Sequence, residues 1–284
     1  MTMKNITNTF IFDSKIKWPT ITIFWWIHWD EISWVKVIDY LKDSLNSWNI
    51  SLLKWRVILA YWNEEAIKNW TRQINHNLNR IFLKNLFDKK SDDYEINRMQ
   101  DLKHILDNSD VLLDIHSTSS ESEPFMFAEN FKDELSVWKT IWTDRIITWW
   151  EKNWWDVLSW DTNLYMHSIK KIAFTLECWQ HKSPNAFNIW LKTSLNLLRY
   201  FNLIDWSIDN HNNHLIEMYK VKTTNTWDFS FKEWINNFKE IKKWDIIWFD
   251  WNVKIIAEED FIILLPNYWK TEIWDEIFYY WKYK

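Results

Sequence analysis

No glycine occurs among the 284 residues of this chain. An ordinary chain of this length carries about 7% glycine, because only glycine enters positive-φ turns and close backbone approaches at no steric cost. Tryptophan runs the other way, with 27 copies. The tryptophans also sit where glycine belongs. Trp25-Trp26, Trp149-Trp150 and Trp154-Trp155 are tandem pairs in polar, loop-like surroundings. Trp62-Asn63, Trp155-Asp156 and Asp250-Trp251-Asn252 read as turn signals with the glycine exchanged. The expectation is that most or all of the 27 are glycine in the living protein. A lineage that decodes UGA as glycine, translated with a table that decodes UGA as tryptophan, produces this pattern. Zero glycine also means no GGN codon in the frame, which leaves room for a few genuine tryptophans. The tryptophans should then map to turns, loops and strand ends, several at positive φ.

Other absences narrow the function. A single cysteine, Cys178, excludes an internal disulfide and fits a reducing compartment. No apolar run follows the first charged residues, so no signal peptide is expected, and no stretch approaches the roughly 18 apolar residues of a membrane span. Charged residues make up 26% and the formal net charge is −5, which offers nothing to nucleic acid or to an anionic membrane surface. A cytoplasmic location is expected, and a homo-oligomer is compatible with the sequence. The length allows one or two domains with a sizeable core.

What is present alternates between two periods. Thr20 to Phe24, Arg56 to Ala60, Val111 to Ile115 and Ile172 to Leu176 read as buried strands. Val35, Ile38, Leu41 and Leu45 mark one face of a helix, and Leu191, Leu195 and Leu198 another. Strands alternating with helices imply an α/β architecture with a mostly parallel sheet flanked by helices. After about Asp205 the pattern changes to short strand-like runs: Leu215 to Val221, Asp245 to Phe249, Val253 to Ala257, Phe261 to Leu265 and Ile277 to Tyr280. Asp250-Trp251-Asn252, with glycine in the middle, is a hairpin turn. The expected division is a catalytic domain over 1–205 and a small all-β C-terminal domain over 206–284.

Four segments carry chemistry, and each follows or ends an expected strand, where ligands bind in open α/β sheets. Trp25 to Glu31 becomes GGIHGDE with glycine restored. His28 and Glu31 stand three residues apart on a turn entering a helix and can face one metal ion. Alone this spacing is weak, and a solvated helix start explains it as well. His116 lies just past a buried strand, with Asp114 two residues earlier on the same face to orient it; a satisfied loop histidine is the bland alternative. Thr71-Arg72 and Asn77-Leu78-Asn79-Arg80 bring two arginines and an amide together, able to grip a carboxylate or simply to form surface salt bridges. Glu177 ends an apolar strand, where a carboxylate is costly unless it is paired or functional. Beside an activated water it would be a general base. Cys178 reads more readily as a small buried hydrophobe than as a nucleophile. As a set, these residues are far more specific than any member: metal ligands, an acid/base carboxylate and anion-binding arginines are the parts of a catalytic zinc site.

The segments resemble the succinylglutamate desuccinylase/aspartoacylase family, relatives of the zinc carboxypeptidases, over about Thr20 to Tyr280. The family pattern G-G-x-H-G-x-E matches Trp25 to Glu31 with glycine at the tryptophan positions. D-L-N-R-x-F matches Asn77 to Phe82, D-x-H-x-T matches Asp114 to Thr118, and E-x-G matches Glu177 to Trp179. The resemblance implies a zinc carboxypeptidase-like mixed, mostly parallel sheet followed by a β domain beside the active-site entrance. It implies one Zn2+ per chain, held by His28, Glu31 and His116, with Asp114 behind the metal shell. Arg72 would polarise the scissile carbonyl, Asn79 and Arg80 would bind the substrate carboxylate, and Glu177 would be the base. Two positions depart from the family: Asn77 replaces its aspartate, and His167 replaces the arginine that meets a second carboxylate. The implied reaction is hydrolysis of an amide in a small carboxylate-bearing molecule such as an N-acyl amino acid. A carboxypeptidase, a peptidoglycan-peptide amidase, or a non-catalytic protein binding metal or carboxylates on the same scaffold are the rivals.

Overall fold

The computed structural model describes residues 6–14, 19–25, 35–47, 49–69, 71, 73–82, 84–118, 122–128, 134, 136–137, 143–148, 161–180, 185–207, 214–224, 226, 228–251, 253–268 and 276–283. The chain begins with a short strand, Thr9–Asp13 (β1), and then makes four strands from the four apolar runs. These are Thr20–Trp25 (β2), Arg56–Tyr61 (β3), Val111–Thr118 (β4) and, later in the chain, Ile172–Gln180 (β7). They lie side by side and parallel in the order β3-β2-β4-β7, with β1 antiparallel on the outer edge of β3. Their near-continuous hydrophobicity follows from burial on both faces.

Helices supply that burial. On one face Val111, Leu113 and Ile115 of β4 join Ile21, Ile23, Val57 and Leu59 under Val35–Asn46 (α1) and Asn185–Tyr200 (α5), through Ile38 and Leu41 of the first and Leu195 and Leu198 of the second. On the other face Phe24, Ile58, Ala60 and Leu112 pack under Tyr94–Asp107 (α3) and Thr162–Ser168 (α4). A short helix, Glu64–Lys68 (α2), follows β3. Three of these helices begin on side chains that cap them: Asn63 for α2, Asp93 for α3 and Asp161 for α4. Each accepts the backbone N–H three residues on, one of the donors a helix start leaves without an intrahelical partner.

Beyond β7 the sheet continues through Phe125–Phe127 (β5) and Arg145–Thr148 (β6) into the C-terminal strands His214–Thr223 (β8), Glu276–Tyr283 (β14), Phe261–Leu264 (β13) and Glu240–Ile241 (β10). The expected β unit after residue 205 therefore exists as strands, but its longest strands extend the central sheet. A second sheet of Ile246–Asp250 (β11) between Phe229–Phe231 (β9) and Val253–Ile256 (β12) is set apart from it. The sheet is thus mixed and mostly parallel at its centre, flanked by helices, with additional β structure at the C-terminal end.

The tryptophans divide. Trp55, Trp244 and Trp251 hold positive φ at 71°, 78° and 59°. Trp251 lies in the β11–β12 hairpin, whose flanking partners are Asp250 and Val253; this turn favours asparagine or glycine at left-handed φ. Trp234, Trp244 and Trp251 are more than 60% exposed. Against the expectation of turns and strand ends, Trp190, Trp248 and Trp281 are fully buried, and none of their indole N–H groups has a hydrogen-bond partner among the described residues. A buried indole normally finds one. These three belong to three separate clusters, not to one continuous core.

Candidate active site

The strand order reverses between β2 and β4: from β2 the chain moves outward to β3, then returns to lay β4 on the other side. A crevice opens at the carboxyl ends of the strands at such a point. His116 and Glu177 stand at that end, as register partners on adjacent β4 and β7. Side chains of directly paired residues in neighbouring strands leave the same face of a sheet. Trp25, the last residue of β2, is paired with Ile115, so β2 ends one residue short of the His116 level.

Asp114 is wholly buried beneath His116. Its Oδ2 lies 3.3 Å from His116 Nε2. Two donors hold the carboxylate: the Trp62 indole N–H at 3.0 Å, and the Thr162 hydroxyl at the start of α4. A carboxylate behind a histidine fixes its ring and tautomer. Here the carboxylate lies at ion-pair distance from the ring, close enough to orient it. Trp62 also meets the His116 ring edge-on, with centroids 6.3 Å apart. Cys178 is buried and donates its thiol hydrogen to the His116 carbonyl at 3.0 Å, as a small core residue does.

The Asn77 segment forms a single 3-10 turn, Leu78–Arg80. Asn77 caps it by accepting the Asn79 N–H at 3.1 Å, a role open equally to the aspartate it replaces. Leu78 and Phe82 are buried against α3, which turns Arg80 outward. Arg80 donates to the Asn79 carbonyl at 3.0 Å, and its guanidinium lies 3.9 Å from Glu276, which accepts the Tyr279 phenol at 2.7 Å. Burial, then the negative charge of Glu276, pushes the Tyr279 phenol well above its ordinary range, so it stays a donor. Arg80 also acts on Asp161. Burial pushes that carboxyl up, while the Leu164 N–H, Arg80 and His116 pull it down and Asp114 pushes it up. One electrostatic neighbourhood therefore contains Arg80, Asp114, Asp161 and His116.

His167 is not part of this group. It lies at the opposite end of α4 from Thr162, buried, with Nε2 2.7 Å from Glu134 Oε1, an oxygen that also accepts the Ala173 N–H. His28, Glu31 and Arg72 lie outside the described residues. Among the described residues no group of three His, Cys, Asp or Glu side chains converges on a metal position. The donor chemistry that is described does fit an ion: a histidine at a strand end, a buried carboxylate behind it, and a second carboxylate on the adjacent strand. Asp161, Thr162, Glu276 and Tyr279 escaped the sequence reading. Only the Asp161-Thr162 pair carries a local signal, that of a helix cap.

Comparison with known proteins agrees with this architecture. Residues 17–141 match the succinylglutamate desuccinylase/aspartoacylase catalytic domain. The aspartoacylase of Rattus norvegicus is 29% identical over 127 residues, 41% of this chain and 40% of that protein. The match thus spans about two fifths of this curated relative. The succinylglutamate desuccinylase of Vibrio parahaemolyticus superposes with a TM-score of 0.76 at 15% identity, over 97% of this chain and 86% of that one. The product-bound ectoine utilization protein of Ruegeria pomeroyi does so with a TM-score of 0.73 at 16% identity, over 96% and 88%. At these identities the superpositions speak for the fold alone. Residues 17–141 are thus similar to this catalytic domain, and the fold over nearly the whole chain is that of the succinylglutamate desuccinylases.

Proposed function

We propose that the protein is a zinc-dependent deacylase that hydrolyses the amide bond of an N-acyl amino acid or a similar small carboxylate-bearing molecule. The observation that carries this reading is the pairing of His116 with Glu177 across β4 and β7, above the buried Asp114 and at the strand-order reversal. His28, Glu31 and His116 would hold the ion, and zinc bound there would supply a Lewis acid and a more acidic water. Asp114 holds the His116 ring in one orientation. Glu177 takes the proton from the attacking water and delivers it to the leaving nitrogen, so one carboxylate serves as base and then as acid. Arg72 stabilises the negative charge that develops on the carbonyl oxygen. Asn79 and Arg80 bind the substrate carboxylate, which holds the amide near the base. The test is metal content and hydrolysis on the same samples. About one zinc per chain is expected, with activity on N-acyl amino acids lost on chelation and metal lost in His28→Ala, Glu31→Ala and His116→Ala. Full zinc occupancy in His116→Ala would remove the ligand assignment.

Glycine at most of the tryptophan positions belongs to the same reading. It is supported by the positive φ of Trp55, Trp244 and Trp251 and by the unpartnered buried indoles of Trp190, Trp248 and Trp281. It also bears on the site. The Trp62 ring occupies the space beside His116 and donates to Asp114; glycine there would open that space to substrate and leave Thr162 as the donor to that carboxylate. Boundaries of 1–205 and 206–284 remain our division of the chain, and a cytoplasmic location our expectation. No helix among the described residues is long and apolar enough to cross a membrane.

A further inference from the structure

The first turns of α3 hold two buried charges that the chemistry above does not use. Glu95 is completely buried. Its Oε1 accepts the Asn63 side-chain amide at 3.0 Å and the Ile74 N–H at 2.6 Å, and its Oε2 accepts the N–H groups of Asn75 at 3.0 Å and His76 at 3.4 Å. Three residues on, the same helix presents Arg98, also buried. Its guanidinium donates to the carbonyls of Trp62 at 2.9 Å, Thr7 at 3.1 Å and Tyr61. Positions i and i+3 share one side of a helix. That side therefore ties down both the exit of β3 and the segment that leads into the Leu78–Arg80 turn.

Residues 74–76 have neither helix nor strand to satisfy their backbone. The three residues are exposed, yet their N–H groups turn inward, where one buried carboxylate accepts all three in succession. Asn77, the cap of the Arg80 turn, comes next in the chain. Glu95 thus holds the backbone of this segment from beneath, while Asp93, the cap of α3, meets the His76 ring at 3.1 Å. A buried carboxylate is itself tolerable only when its oxygens are so occupied.

We propose that Glu95 is the positioning residue for the carboxylate-binding turn: by gathering the N–H groups of Ile74, Asn75 and His76 it fixes the segment that delivers Asn79 and Arg80 to substrate. The inference rests on the reading of Arg80 as the carboxylate anchor. Glutamine at position 95 retains one acceptor oxygen and turns an NH2 group toward N–H donors, so the segment loses half its support. Aspartate retains the charge but is one methylene short.

The experiment is a double-mutant cycle of Glu95→Gln with Arg80→Ala, read as kcat and KM for an N-acyl amino acid and accompanied by amide exchange at 74–76. Glu95→Gln alone should raise KM by about tenfold with a smaller fall in kcat. In the Arg80→Ala background it should change KM no further, because the group it positions is gone. Exchange at Ile74, Asn75 and His76 should accelerate. Glu95→Asp should fall between wild type and Glu95→Gln, and it takes the place of Glu95→Gln in the cycle if that variant does not fold. Additive KM effects, an unchanged KM, or a loss borne wholly by kcat would overturn the proposal while leaving the deacylase reading intact. A wild-type protein that neither binds nor hydrolyses any N-acyl amino acid would instead remove that reading, and the positioning role with it.

Discussion

Glu177 and His116 are register partners with different proposed roles, and substitution separates them. Glu177→Gln keeps size and leaves the proposed ligands untouched. Zinc content and KM should stay near wild type while kcat falls by roughly 10²–10⁴, the usual worth of a general base. Near wild-type turnover would place the base elsewhere; His181, outside the described residues, is the next candidate. His167 makes a contrasting case. Its ring and Glu134 are both buried, 2.7 Å apart. Removing one partner of a buried pair commonly costs about 3–5 kcal/mol. His167→Ala should therefore appear as a large drop in melting temperature, with KM of the surviving enzyme little changed. A variant of normal stability with a raised KM would return His167 to the substrate. The ten-residue spacing from Glu177 pointed to the substrate side, and only the packing of α4 shows where the ring goes.

At the scale of elements, the strands were legible because burial on both faces leaves an unmistakable run of apolar residues. Thr20 to Phe24 and Arg56 to Ala60 each match the observed strand to within one residue. β5, β6 and β10 are four residues or shorter and carry no such run. α4 is a single short helix whose capping Asp161 gives the clearest hint of it. The β11–β12 hairpin was legible through Asp250-Trp251-Asn252 only by putting glycine at 251. Holding a bulky residue at left-handed φ costs on the order of 1–2 kcal/mol. In a protein made with tryptophan at every such position, Trp251→Gly should raise the melting temperature, and so should Trp244→Gly. Denaturation curves decide it: a loss of stability in both would count against glycine as the native residue there.

The whole molecule offers the broadest test. Protein isolated from its own host should be lighter than the 35.5 kDa of the sequence as written. It should also absorb much less at 280 nm, with tandem mass spectra reading glycine at Trp25, Trp26 and Trp29. UGG codons at these positions, or intact tryptophan in the peptides, would end the idea. The alternation of strand and helix settled the α/β class, because a residue's period depends only on which side of its own element is buried. The residue types drew attention to His116 and Glu177, because a polar side chain ending an apolar strand needs a partner or a function. The tertiary structure alone decided how the parts meet. Register set His116 beside Glu177, which are 61 positions apart in the chain (177 minus 116). Helix packing put Thr162 on Asp114 and gave His167 to Glu134. The C-terminal strands joined the central sheet although the sequence pattern marked them as a separate unit. Local sequence records what each segment buries, whereas the identity of its neighbour is fixed only when distant segments compete for the same buried surface and hydrogen-bonding groups.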